Sequence, residues 1–193
     1  MSALALPRVG YATNADHGAG CNVHPPAKQW CSKRLADSAL ALHYGRKIPW
    51  RSPSFASSAA SVTSTSISVA VSLKDVSTAG LTNDVTPYNS GTVYGGGLVN
   101  CTKLNAAQPD TCAWAIVQLE SGERLNATVS VAPGGQKLVL AAPLPKSFSE
   151  FGARNDASIV IATSYAYGAI PMMTTYDKQT GLPVLPWNRT IVA

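Results

Sequence analysis

The chain is 193 residues long, 46% hydrophobic and only 13% charged, a composition that excludes a disordered polypeptide. Its formal charge of +5 comes from scattered lysines and arginines, without the basic run or the RNA-binding and zinc-finger signatures of a nucleic-acid partner. Its apolar runs are shorter than the roughly 20 residues that a membrane-spanning helix needs, so no membrane span is predicted.

Asn100, Asn126 and Asn188 each begin an Asn-x-Thr triplet, and the chain has four cysteines. Predicted glycosylation sites beside an even cysteine count are typical of a protein that is secreted or lies in the lysosomal or endomembrane lumen. The start MSALALPRVG lacks a basic n-region, and its apolar run ends at Pro7, so it is not a signal peptide. We therefore expect the chain to be a piece of a longer protein.

A helix is predicted over residues 25–44. Its apolar residues recur at helical spacing and are Trp30, Leu35, Ala39 and Leu42. Pro25 and Pro26 suit a first helical turn, and Gly45 suits the position just after the last turn.

Residues 51–66 are rich in Ser and Ala and begin near Pro53, which predicts a linker. Beyond it the period changes to two, because Ile67, Val69 and Val71 alternate with small residues, as in a half-buried strand. Further strands are predicted at 91–94, 113–119, 125–131, 137–141, 158–167 and 188–192. Short strands separated by turns, without alternating helices, predict an antiparallel β-sandwich.

His24 directly precedes Pro25. A residue before proline is biased toward extended backbone angles, which holds this imidazole outside the helix and at its positive end. The helix dipole disfavours imidazolium there, so the ring stays neutral and ready to accept a proton. His24 is therefore a candidate general base, and the alternative is a surface loop histidine beside a helix start.

The segment around His24 has a second potential use, as a zinc site. Its ligands would be two imidazoles and two thiols, from His17, Cys21, His24 and Cys31. Structural zinc sites usually contain close CxxC-type pairs, and the spacing here is irregular. No metal is therefore predicted.

Disulfides are the simpler use of the cysteines. Cys101 and Cys112 flank a turn-rich segment, which favours a bridge between them. Cys21 and Cys31 then remain for a second bridge across the loop that carries His24, although four cysteines allow three connectivities.

Four aromatic residues near the C-terminus either line a sugar site or pack in a core: Tyr165, Tyr167, Tyr176 and Trp187. If they bind sugar, the chain is a secreted β-sandwich module that recognises glycans without catalysis. The sequence contains no Gly-x-Ser triplet, so the nucleophile motifs of serine esterases are missing. The chain carries at most part of a serine-esterase site.

Two stretches resemble the sialate O-acetylesterases of the SGNH-hydrolase type. NVHPPAKQWCSKRLADSALALHYGRKIPW is similar to the family's catalytic-histidine segment and the last helix of its hydrolase domain, and YAYGAIPMMTTYDKQTGLPVLPWNRTI is similar to its C-terminal segment. The resemblance implies that residues 1–50 end an α/β, flavodoxin-like hydrolase domain. A linker over 51–66 and a β-sandwich domain over 67–193 would follow.

The resemblance also implies an activity, which is the removal of acetyl groups from hydroxyls of sialic acid or another sugar, without a cofactor. His24 would be the general base toward a serine in the N-terminal part of the hydrolase domain, so this chain alone is expected to be inactive. The family commonly has Asp three residues before this histidine, where Cys21 stands here. Asp16 is the nearest upstream acid, and the group that orients His24 is not assigned.

Overall fold

The computed structural model describes residues 6–14, 16, 28–84, 114–144, 160–166 and 174–192. The elements in these ranges are a helix, α1 (Lys28–Leu42), and the strands β1 (Ser54–Val62), β2 (Ser66–Lys74), β3 (Leu81–Thr82), β4 (Trp114–Leu119), β5 (Arg124–Val131), β6 (Lys137–Pro143), β7 (Val160–Ala166), β8 (Tyr176–Asp177) and β9 (Trp187–Val192). No helix among them is long and apolar enough to cross a bilayer.

Seven strands form one antiparallel sheet in the order β1-β2-β6-β5-β4-β7-β9, while β3 pairs with β8. The two edge strands, β1 and β9, come together in space. The ring centroids of Phe55 and Trp187 lie 5.8 Å apart, and the Leu185 N–H donates to the Pro53 carbonyl at 2.8 Å. The sheet is therefore curled, so that its edges approach each other.

The core lies inside this curl and follows the predicted period of two. Alternate residues of β2 are fully buried against β6, and the facing pairs are Ile67 with Ala142, Val69 with Leu140 and Val71 with Leu138. Burying each of the larger side chains is worth about 1.5–3 kcal/mol. Leu81 of β3 and Val184 join the same cluster, so the small β3–β8 sheet covers part of the core.

The predicted mainly β, antiparallel fold is confirmed, and β2, β4, β5, β6, β7 and β9 lie where strands were predicted. The predicted strand at 91–94 and the glycines that follow it lie outside the described residues. The sandwich is not confirmed, because the seven strands form one continuous curled sheet.

The predicted linker over 51–66 is corrected by β1, which occupies most of it. Ala60 lies opposite Val69 and Val62 opposite Ile67, and a bulge shifts the register between Phe55 and Ser57. A Ser/Ala composition resembles that of flexible linkers, yet small side chains serve well on an edge strand whose backbone pairs with a strongly hydrophobic neighbour.

Helix α1 confirms the predicted helix, and Gly45 follows it with a φ of 65°. Its most buried residues are polar. Arg34 and Ser38 are 5% and 4% exposed, whereas Leu35, one of the apolar residues at helical spacing, is 53% exposed. The helix packs on a polar N-terminal segment, and a Cβ on Gly10 would collide with the Ser38 hydroxyl.

The entry to β3 depends on a close backbone contact between Gly80 and Gly135. The Leu81 N–H donates to the Gly135 carbonyl at 2.8 Å. Gly80 has a φ of 78°, and a Cβ there would lie 2.9 Å from that same carbonyl oxygen.

We expect Gly80→Ala to lower the free energy of unfolding by about 2–4 kcal/mol, since left-handed strain and a backbone collision add together. Gly122→Ala is the matched control, because its φ of 88° carries the strain but no atom lies within 4 Å. Urea denaturation of both variants measures the difference. Equal losses would show that the contact with Gly135 adds nothing.

Candidate functional site

The predicted base, His24, belongs to residues 17–27, which lie outside the described residues, as do His17 and Cys21. The structure does describe both flanks of this segment. Asp16 precedes it, and α1 begins at Lys28 directly after it. The contacts of Asp16 and of α1 therefore fix the two ends of this segment.

A buried ion pair joins the two flanks. The guanidinium of Arg34, on the second turn of α1, binds both oxygens of Asp16, with Nη1–Oδ1 at 2.7 Å and Nη2–Oδ2 at 2.8 Å. Nη1 also donates to the Thr13 carbonyl at 2.7 Å. Asp16 is fully buried and Arg34 is 5% exposed, so this bidentate pair is shielded from solvent.

Tyr176 brings the β domain to the same carboxylate. Its hydroxyl donates to Asp16 Oδ2 at 2.9 Å from a fully buried position on β8. The N-terminal segment, α1 and β8 therefore meet at Asp16. We call Asp16, Arg34 and Tyr176 the junction cluster.

The chemistry of the junction cluster is structural. Both carboxylate oxygens accept short bonds, from the Arg34 guanidinium and from the Tyr176 hydroxyl, and Asp16 is fully buried. Asp16 was the nearest upstream acid to His24 in the sequence. In the structure its carboxylate accepts hydrogen bonds from Arg34 and Tyr176.

Asp177, the residue after Tyr176, fixes the loops beside the junction cluster. Its fully buried carboxylate accepts from the backbone N–H of Ser77 at 2.7 Å through Oδ2. Through Oδ1 it accepts from the N–H groups of Gln179 and Thr180, at 3.1 and 3.0 Å. One carboxylate thus holds two loops that are far apart in sequence.

Two neighbouring clefts of about 300 Å³ each lie beside these loops, the first against α1 and the second between residues 48–51 and 75–77. They share Ile48, Pro49 and Thr180, and together we call them the interface groove. The first cleft is bordered by Trp30 of α1, and the second by Trp50.

The predicted aromatic sugar site is only partly tested. Tyr176 is buried in the junction cluster, and Trp187 is 7% exposed, with its indole N–H donating to the Thr163 hydroxyl at 3.4 Å. Both rings pack in the interior, as the alternative prediction has it. The side chain of Tyr165 and all of Tyr167 lie outside the described residues.

The cysteine predictions have one clear outcome. Cys31 is a half-buried free thiol, so the bridge from Cys21 to Cys31 is not present in the structure. That pairing was assigned by elimination, and the sequence spacing did not fix the Cα separation that a disulfide requires. Cys101 and Cys112 lie outside the described residues, and their bridge stays a prediction.

Two of the three predicted glycosylation sites are on the surface. Asn126 on β5 and Asn188 on β9 are exposed, while Asn100 lies outside the described residues. In the described part of the chain, no three His, Cys, Asp or Glu side chains gather as a metal site would require.

The junction cluster was missed by sequence reasoning. Arg34 is not among the apolar residues at helical spacing, and Tyr176 belongs to a strand of two residues, too short for a period. Asp16 and Arg34 are distant in sequence, and no local pattern pairs them.

No protein-family model matches the chain, and no curated protein matches it. Among solved structures, the chain is similar to a crystal structure described as a novel carbohydrate acetylesterase from Xanthomonas citri, with a TM-score of 0.51 and 18% sequence identity. The match covers 90% of this chain and 31% of that protein, so the chain spans about a third of its length. A likeness at this identity shows a shared fold.

We expect Asp16→Ala to lower the free energy of unfolding by about 3–5 kcal/mol, because it leaves the Arg34 guanidinium buried without its counter-charge. Tyr176→Phe, which removes one bond to a carboxylate, should cost about 1.5–3 kcal/mol. Denaturant unfolding measures both.

The control is Asp37→Ala, which removes the partner of Lys33 in a surface i,i+4 pair. Surface pairs contribute about 0–1 kcal/mol. A loss for Asp16→Ala no larger than for Asp37→Ala would show that the junction cluster does not hold the structure together.

Proposed function

We propose that this chain is the histidine-bearing C-terminal part of a carbohydrate O-acetylesterase of the SGNH type. The observation that carries the proposal is the fold shared over 90% of the chain with a carbohydrate acetylesterase. The sequence points the same way, since the stretch that follows His24 resembles the end of a hydrolase domain. The acetyl ester would be on sialic acid or another sugar, in a secreted or lumenal protein.

In the proposed mechanism, His24 accepts the proton of a serine hydroxyl as that oxygen attacks the acetyl carbonyl carbon. The imidazolium then donates the proton to the departing sugar oxygen, leaving an acetyl-serine. Water, deprotonated by the same imidazole, attacks this ester, and the imidazolium returns the proton to the serine oxygen as acetate is released. The serine and the oxyanion donors belong to an N-terminal part of the hydrolase domain, because this chain has no Gly-x-Ser motif.

The described residues would contribute precise positioning of His24. Asp16 directly precedes residues 17–27 in the sequence and Lys28 directly follows them, and Arg34 ties Asp16 to the helix that Lys28 begins. The two ends of the segment that carries His24 are thus fixed to one rigid element. Restricting the ends lowers the number of positions that the imidazole samples, which favours a productive geometry.

The same arrangement limits what Asp16 would do in catalysis. Its carboxylate already accepts from Arg34 and Tyr176, so its role would be to hold the loop. The proposal therefore assigns His24 the proton transfer and assigns no carboxylate to orient it. A serine–histidine dyad, or a backbone carbonyl on the imidazole, would complete the site.

The decisive test joins this chain to an N-terminal part that carries a Gly-Asp-Ser-type nucleophile. We expect His24→Ala to lower kcat/KM for p-nitrophenyl acetate about a thousandfold or more, because proton transfer to and from the serine is lost. His43→Ala is the matched control, since His43 is an exposed histidine at the other end of α1. Near-normal activity of His24→Ala would remove His24 from the mechanism.

The chain alone supplies a second test. It should not raise the rate of p-nitrophenyl acetate hydrolysis in a manner that a serine-directed inhibitor abolishes. Robust, inhibitor-sensitive turnover would contradict a nucleophile outside the chain. Inactivity of the joined protein, together with saturable binding on a glycan array, would instead favour a glycan-binding module.

A further inference from the structure

We propose that the interface groove binds a neutral oligosaccharide chain and so forms a substrate-binding site separate from the reacting acetyl group. The choice of a sugar as ligand rests on the proposed function. The choice of this surface, and of a neutral sugar, rests on the geometry and charge of the groove.

The interface groove consists of two neighbouring clefts of about 300 Å³ each, whose linings share Ile48, Pro49 and Thr180. Single binding pockets for small ligands begin at about this volume. Two in sequence suit an extended chain better than one compact ligand.

Tryptophan borders each cleft. Trp30 and Trp50 are both partly exposed, and an indole offers a broad apolar surface beside an N–H donor. That combination suits a sugar ring, which has apolar C–H faces and a rim of hydroxyls. Arg51 lies over the Trp50 ring at 4.8 Å.

Contacts made by Tyr11 hold the Trp50 side of the groove in place. The ring of Tyr11 meets Trp50 edge-on with centroids 5.7 Å apart, and the Tyr11 hydroxyl accepts from the Ser52 N–H at 2.9 Å. Burial raises the pKa of Tyr11 above its ordinary value of 10.0, so this phenol stays neutral at physiological pH.

The charges around the groove balance, which favours a neutral ligand. Lys33 pairs with Asp37 at 2.5 Å, and Arg34 is neutralised by buried Asp16. In the second cleft the lining carries one cation and one anion, Arg51 and Asp75. An anionic sugar would find no net positive charge here to offset its desolvation.

Two loops that border the groove are pre-organised by one buried group. Asp177 accepts from Ser77 of one loop and from Gln179 and Thr180 of the other. The Thr180 hydroxyl in turn accepts from the Leu182 N–H at 3.1 Å. Fixed walls lower the entropy that a bound ligand must remove, so a shallow groove can still bind.

His24 precedes Trp30 by six residues, so the covalent chain allows their Cα atoms to be at most about 21 Å apart. Under the proposed function, sugar units bound in the groove would keep a polymer within that reach of the imidazole. Binding energy from such remote units would serve to position the ester.

Isothermal titration of this chain with cellotetraose, xylotetraose and maltotetraose tests the inference. These sugars carry no acetyl groups, so the result does not depend on hydrolysis. We expect saturable binding of at least one of them, and weaker or no binding of 3′-sialyllactose. Failure of all three neutral sugars to bind, or tighter binding of 3′-sialyllactose, would overturn the inference without touching the role of His24.

Two variants locate the binding. Trp30→Ala should weaken binding about tenfold or more, and Gln179→Ala, an exposed substitution that leaves the backbone contact of that turn in place, should weaken it severalfold. Tyr44→Ala is the control, because Tyr44 is 75% exposed and lies outside the groove lining. Unchanged affinity in the first two variants would place the sugar elsewhere. Circular dichroism confirms that each variant is folded.

Discussion

The buried ion pair between Asp16 and Arg34 connects stretches of the chain that have little else in common. One is an irregular N-terminal segment, one is a helix, and Tyr176 adds a two-residue strand of the β domain. Burying two charges costs desolvation free energy. Their mutual attraction offsets that cost only when the geometry is good and their remaining donors and acceptors are hydrogen-bonded. Here the pair is bidentate, and the Thr13 carbonyl and the Tyr176 hydroxyl complete it.

A buried ion pair is demanding in its geometry. A hydrophobic contact tolerates sliding and rotation, whereas a two-pronged guanidinium–carboxylate bond has one productive orientation. It therefore fixes the rotation of α1, which explains why Arg34 and Ser38 face inward and Leu35 faces out. The next residue after Tyr176, Asp177, then sets the loops that border the interface groove. Two loops that border the interface groove are therefore held by a residue adjacent to the junction cluster.

The sheet could be predicted from the sequence because each of its predicted strands is marked by an alternating pattern of neighbouring residues. Ile67, Val69 and Val71 alternate with small residues, and the sheet buries every second side chain. Strand β1 could not be predicted, because Ser and Ala have a low intrinsic propensity for strands and adopt this conformation by pairing with β2.

His24 was predicted as a base from its place before two prolines and from a family resemblance, and it lies outside the described residues. The pairing of Asp16 with Arg34 depends on a tertiary contact that leaves no period, and a buried arginine looks like a solvent-facing one in the sequence. The interface groove could not be predicted from the sequence for the same reason. Its lining comes from α1, residues 48–51 and the turn after Asp177, which meet only in the folded chain.

The account depends on His24 meeting a serine that another stretch of polypeptide provides. A crystal structure of the joined protein after reaction with a phosphonofluoridate, which labels the nucleophilic serine, measures this directly. We expect the labelled oxygen to lie about 2.6–3.2 Å from a ring nitrogen of His24, the distance at which an imidazole exchanges a proton. A labelled serine that contacts a different histidine, with His24 facing away from it, would contradict the account.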